Sequence, residues 1–276
     1  MSDLQTHDAP AMQQARTGPN PTGDFIWYEL MTSDADAAKD FYDAVVGWEI
    51  GEGAAEFQGY RMINSDGGFA GGVLPITDEM RQHGARPTWL GYLHVSDVDS
   101  AVASIEGDGG TALMTHDIPN VGRIAMVTDP QGVPFYVMKP IPPEGREGEP
   151  STVFSPRQQG RCAWNELSTS DPQAARRFYE QQFGWTTDDF MPMGEHGEYR
   201  FIDNDGLRLG AIAGSMNGQP PHCRFYFRVP SASKAKDTIE AKGGTVAMGP
   251  MEVPGGDHIV IGFDPQGAEF ALVGEA

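Results

Sequence analysis

The sequence is short of cysteine and of positive charge. Only Cys162 and Cys223 occur in 276 residues, too few for a disulfide framework, so two reduced thiols in a cytoplasmic protein are expected. Lys and Arg number 19 against 39 Asp and Glu, a formal charge of −20, which excludes nucleic acid and an anionic membrane surface as main partners. No apolar run approaches the roughly 18 residues of a membrane span, and polar residues 1–23 lack the apolar core of a secretory signal. Those 23 residues are expected to form a flexible tail. Gly-rich phosphate loops, clustered cysteine pairs and the Gly-x-Ser-x-Gly elbow are also missing. His83, His116, His196 and His222 show no paired metal-ligand spacing and are expected on loops.

What the chain has in quantity is glycine and proline, 35 and 21 residues, with 10% aromatics. That mixture favours a turn-rich fold with short strands and argues against bulk disorder. It also has an internal repeat. Phe25-Ile-Trp-Tyr-Glu-Leu-Met-Thr-Ser-Asp34 reads against Cys162-Ala-Trp-Asn-Glu-Leu-Ser-Thr-Ser-Asp171, and Ala37-Ala-Lys-Asp-Phe-Tyr42 against Ala174-Ala-Arg-Arg-Phe-Tyr179. Gly47-Trp48, Tyr60-Arg61 and Asp129-Pro-Gln-Gly132 recur as Gly184-Trp185, Tyr199-Arg200 and Asp264-Pro-Gln-Gly267. Register held this far marks a tandem duplication. Domains are expected at 24–140 and 160–276, joined by a Pro/Gly-rich linker at 141–159.

Each copy divides again. Asp34 or Ser33 is expected to cap a helix whose apolar stripe is Ala38, Phe41, Tyr42 and Val45; Asp171 and Pro172 start its repeat. A second strand–helix unit follows in each copy: Trp89 to Val95 with Val98, Ala101, Val102 and Ile105, then Arg224 to Val229 with Ala235 and Ile239. Short strands come after each Gly-Gly, the last two joined by Asp-Pro-Gln-Gly, which suits a type I turn. Four strand–helix–three-strand units result. Paired units would leave the face opposite their helices curved into a cup.

The Asp34, Phe41-Tyr42 and Gly47-Trp48 pattern, with Asp-Pro-Gln-Gly ahead of a final strand, resembles the vicinal oxygen chelate superfamily. Its tandem two-domain glyoxalase/bleomycin resistance protein/dioxygenase-like proteins are the nearest match in organisation. The resemblance implies an α+β fold: four βαβββ modules paired into two glyoxalase-like domains, each a curved mixed sheet forming a cup with helices outside. It also implies a divalent metal in each cup, held by His, Gln or Glu. The matching positions here are Trp27, Tyr136, a slot near Leu90 and one near Gly71; in copy two they are Trp164, Ala271, near Arg224 and near Gly210. None offers the usual ligands, so no metal and no other cofactor is expected.

Strand alternation instead places Trp27 beside Glu29 and Trp164 beside Glu166. Tyr92, His94, Arg123 and Tyr136 join the first pair as expected ligand-binding residues, and Tyr226, Arg228 and His258 the second. These sets fit a small, partly polar, planar organic molecule. If the chain is an enzyme of glyoxalase-like lyase, isomerase or dioxygenase type, Glu29 and Glu166 are the expected acid/base groups, since a carboxylate beside Trp can have a raised pKa. Three alternatives stay open: a metal enzyme using Glu29, His94 and Tyr136; cups filled by their own side chains; and carboxylates that merely pair with Arg61 and Arg200. A small-molecule partner is expected, with a homodimer left open. The differences between copies predict unequal ligand preference.

Overall fold

The computed structural model describes residues 16–216 and 218–276. Its first half forms β1 (Phe25–Thr32), α1 (Ala35–Val45), β2 (Glu49–Ile50), β3 (Arg61–Ser65), β4 (Gly68–Pro75), α2 (Asp78–Gln82), β5 (Thr88–His94), α3 (Val98–Gly107), β6 (Thr111–Ile118), β7 (Gly122–Thr128) and β8 (Pro134–Pro140). The second half repeats this, with no counterpart of α2 among the described residues. It comprises β9 (Cys162–Thr169), α4 (Pro172–Phe183), β10 (Phe190–Pro192), β11 (Glu198–Asn204), β12 (Leu207–Gly214), β13 (His222–Ser231), α5 (Ala232–Ala241), β14 (Thr245–Glu252), β15 (His258–Phe263) and β16 (Glu269–Glu275).

Each half is one open, eight-stranded mixed sheet, ordered β2-β3-β4-β1-β5-β8-β7-β6 and β10-β11-β12-β9-β13-β16-β15-β14. Within a unit, first and last strands run parallel, as β1 with β4 and β5 with β8. Antiparallel β1 and β5 then join two units at the sheet centre. The α+β reading and its four βαβββ modules hold. His116 and His222 lie in strands rather than loops. Among the described residues no helix is long and apolar enough to cross a membrane.

Local chemistry explains the boundaries. Asp34, not Ser33, caps α1, its carboxylate accepting from Asp36 N and Ala37 N at 3.1 and 3.0 Å. Asp171 does the same for α4, with Pro172 where no N–H is needed. Helix α1 buries Ala38, Phe41, Tyr42 and Val45, the predicted stripe. Gly184 ends α4 at φ 71°, a conformation that suits glycine. In the turn from Asp129 to Gly132 the aspartate accepts from Gln131 N and Val133 N at 2.9 Å, and Asp264 repeats this.

The two sheets pack back to back, their helix-bearing faces sharing one apolar core that draws rings from both halves. Repeat-related positions meet there. Tyr28 Oη donates to Asn165 Oδ1 at 2.8 Å, and these two residues occupy the same place in the two copies. Reciprocal bonds cross on either side. Tyr42 Oη donates to Asp264 Oδ2 at 3.2 Å, and Tyr179 Oη to Asp129 Oδ2 at 3.3 Å. Trp48 and Trp185 donate across the halves to Gly160 O and Gly23 O at 2.8 and 2.9 Å.

Of the expected tail, residues 1–15 lie outside the described ones, while 16–23 run against the second half. There Arg16 binds Asp24 and the carbonyls of Asn204 and Asp205. Val153 of the linker is buried in the shared core.

The buried tyrosine–aspartate bonds should carry measurable stability. Tyr42→Phe strands Asp264 Oδ2 and also Trp89 Nε1, which donates to Tyr42 Oη at 2.9 Å. Urea unfolding should show a loss of about 1.5–3 kcal/mol for Tyr42→Phe and less for Tyr179→Phe, which strands Asp129 alone. Two neutral substitutions would show that these bonds do not hold the halves together.

Candidate functional site

The pleat decides what enters each cup. On β1, Tyr28 and Leu30 turn to the shared core, while Ile26, Glu29 and Met31 turn to the first cup with Leu90 and Tyr92 of β5 and Tyr136 and Met138 of β8. Pairing puts Trp27 opposite Tyr92, and Tyr92 beside Tyr136. The row crossing the three central strands is therefore Trp27, Tyr92, Tyr136, and its repeat is Trp164, Tyr226, Ala271. Glu29 and Leu90 form the adjoining row, as do Glu166 and Arg224.

The first cup centres on Glu29, buried at 3% exposure. Tyr92 Oη donates to its Oε2 at 2.9 Å, Tyr60 Oη acts on the same carboxyl, and Oε1 is buried without a partner. Trp27 Nε1 donates to Tyr60 Oη at 2.8 Å, and Tyr92 and Tyr136 stack with centroids 4.2 Å apart. Burial pushes the Glu29 carboxyl up to about 7, against the opposing pull of Tyr92 and Tyr60. Burial raises Tyr60, Tyr92 and Tyr136 as well, and the nearby Glu29 adds to it. Gly72 lies opposite Glu29 on β4, and a Cβ there would overlap the Tyr60 hydroxyl, so its absence seats this tyrosine. Helix α2, which has no counterpart among the described residues of copy two, brings Met80 against the cup's apolar wall.

The second cup repeats the quartet. Tyr199 and Tyr226 donate to Glu166 Oε2 at 2.8 and 3.1 Å, and Trp164 Nε1 donates to Tyr199 Oη at 2.8 Å. Its remaining oxygen differs: Arg224 Nη1 donates to Oε1 at 2.6 Å. The same guanidinium binds Glu269 through Nε and meets His222 Nε2 at 3.0 Å. Burial alone would raise Glu269, but His222 and Arg224 hold it below its ordinary value; Glu269 in turn raises His222.

Other expected residues lie elsewhere. Ile124 and Met126 face the first cup, so alternation turns Arg123 to the helix side, where it pairs with Asp99 and Asp117. Ile259 and Ile261 likewise leave His258 on the side opposite the second cup. Arg228 binds Asp257 at 2.7 Å and Pro156 O at 2.8 Å, at the end of β13 beyond Tyr226. His94 ends β5 against Pro21 and Asp24, and burial lowers its pKa. Arg61 and Arg200 pair with Asp36 and Glu198, not with the cup carboxylates. Sequence reading passed over Tyr60, Tyr199 and Arg224 as site residues, although Tyr60-Arg61 and Tyr199-Arg200 were visible as repeats.

The donor chemistry does not suit a divalent ion in the row crossing the central strands, where indole and buried phenol side chains stand. Among the described residues no three His, Cys, Asp or Glu side chains converge as a metal-binding group.

A family model described as the Glyoxalase/Bleomycin resistance protein/Dioxygenase superfamily matches residues 25–137 and again 159–272. The chain belongs to that superfamily. A curated relative from Mycobacterium tuberculosis (strain CDC 1551 / Oshkosh), named "Putative glyoxylase CFP32", is 30% identical over 90% of this chain and 93% of its own length. Anthracycline biosynthesis protein DauV of Streptomyces sp. (strain C5) is 28% identical over 90% and 91%. In fold the chain is similar to the Mn(II)-bound glyoxalase from Novosphingobium aromaticivorans, with TM-score 0.62 and 19% identity over 92% of this chain and 83% of that one. Homoprotocatechuate 2,3-dioxygenase from Brevibacterium fuscum matches with TM-score 0.62 and 16% identity over 92% and 82%.

The raised Glu29 pKa makes stability depend on pH in a stated sense. Between about 4.5 and about 7 the native carboxyl keeps a proton that the unfolded one has lost, so this contribution falls as pH rises through that window. Glu29→Gln removes the effect. Its stability relative to the unmodified chain should improve by up to about 3 kcal/mol between pH 4.5 and pH 8 in urea melts. A pH-independent difference would mean that Glu29 titrates normally.

Proposed function

We propose that the first cup binds a small, largely planar organic molecule without a metal, and that Glu29 is the group exchanging a proton with it. The supporting observation is the buried carboxyl: Tyr92 donates to Oε2, Tyr60 acts on the same group, and among the described residues Oε1 has no partner. A pKa pushed up to about 7 makes that carboxyl both a competent donor and a competent acceptor near neutrality. Trp27, Tyr60, Tyr92 and Tyr136 supply the flat walls. Half-buried Trp27 lies edge-on to exposed Phe69 and adds a further ring on the solvent side. Kinship with a protein named for anthracycline biosynthesis favours a flat aromatic ligand.

In the second cup Arg224 occupies the free side of Glu166, so that cup is the quieter of the two. A thermal-shift screen of planar aromatic compounds should yield ligands that stabilise the chain, by roughly 2.7 kcal/mol at a hundredfold excess over Kd. Chelator treatment should leave this binding intact, and Glu29→Gln should weaken it at least tenfold. Copurification of about one Fe, Mn, Zn or Ni per chain, lost on Glu29→Ala, would overturn the proposal.

A further inference from the structure

The two cups are an internal comparison that differs in one ionic cluster. Glu166 sits in a four-membered ionic cluster with Arg224, Glu269 and His222. Strand register places Glu29, Leu90, Pro134 and Thr88 at the corresponding points of the first cup. Three of these four are uncharged, yet the carboxyl, its two tyrosines and the tryptophan behind them are present in both cups. The oxygen that receives the guanidinium in the second cup, Oε1, is the oxygen left without a partner in the first. A buried carboxyl with no cation beside it costs free energy unless something else completes it.

Resting on the ligand-binding reading of that cup, we infer that its ligand carries the missing cation: a planar amidinium or protonated amine whose N–H donates to Glu29 Oε1. Four aromatic rings around the spot favour such a group, because their faces attract cations. Among the described residues the titratable side chains turned to Glu29 are tyrosines: Tyr60 from the segment before β3, Tyr92 from β5 and Tyr136 from β8. Arg61 Nη2 pairs with Asp36, and His94 ends its strand at Pro21 and Asp24, so among the described residues neither cation is paired with Glu29. Binding a permanent cation then requires ionised Glu29 and expels its proton to solvent.

Calorimetric titration of the full chain with benzamidine and with benzamide, its neutral isostere, tests this. Benzamidine should bind once per chain, at least tenfold tighter than benzamide. Its affinity should rise about tenfold from pH 6 to pH 8, following ionisation of a group near 7. Glu29→Gln should erase the preference, and Leu90→Arg, which installs the second cup's cation, should abolish binding while circular dichroism stays native. Arg224→Leu should add a second benzamidine site. Equal affinity for both probes, or benzamidine binding that survives Leu90→Arg, overturns the cation inference and leaves an aromatic-binding cup standing. Failure of benzamidine and of every aromatic compound to bind overturns both.

Discussion

An open eight-stranded sheet has two faces, and water will not cover both cheaply. This chain meets that constraint by duplication: two sheets press their helix-bearing faces together and bury one continuous core. Everything functional follows from it. With the backs occupied by each other, the opposite faces are left as two cups, held in fixed relation by reciprocal bonds from Tyr42 to Asp264 and from Tyr179 to Asp129. The residues that mark the repeat most clearly, Phe-Tyr and Asp-Pro-Gln-Gly, are thus the bolts of the assembly. They lie on the side away from the cups.

Held by that frame, the cup faces were free to diverge. Both retain a carboxylate bound by two tyrosines, one of them receiving an indole N–H. In the second cup Arg224 completes the carboxylate, and the result is an ionic lock. In the first, Leu90 stands in its place and Glu29 is left desolvated, with a carboxyl pushed up to about 7. Desolvation outweighs two hydrogen bonds there, and among the described residues no counter-charge offsets it. One position on β5 and β13 accounts for most of the difference in electrostatic character.

Much of the fold was readable from the residues. Helix stripes, the capping aspartates and the repeat spacing depend on local pattern, and so the α+β modules and the shared face of Trp27, Glu29 and Tyr92 could be read directly. Misplaced residues failed for a specific reason. Arg123 and His258 were assigned to cups from their place in the repeat, but face is set by pleat parity, and neighbouring Ile124 and Ile259 take the inward positions. Tyr60 and Tyr199 come just before or at the start of strands two places from β1 and β9. Only the pairing of β3–β4–β1 and β11–β12–β9 brings them to the carboxylates. Arg224 is legible in sequence as the start of a strand and as a position lacking a metal ligand, not as a charge partner of Glu166. Its part as an internal cation depends on Glu269, 45 residues away and on the adjacent strand.

The central claim is that Glu29 is a buried carboxyl, without its own cation, protonated near neutrality. Carbon-13 NMR of the full chain labelled at glutamate Cδ, with Glu29→Gln used to assign the resonance, measures this directly. The account predicts a single carboxyl titrating close to 7, well apart from the surface glutamates. A Glu29 resonance titrating at the ordinary value near 4.5 would contradict it.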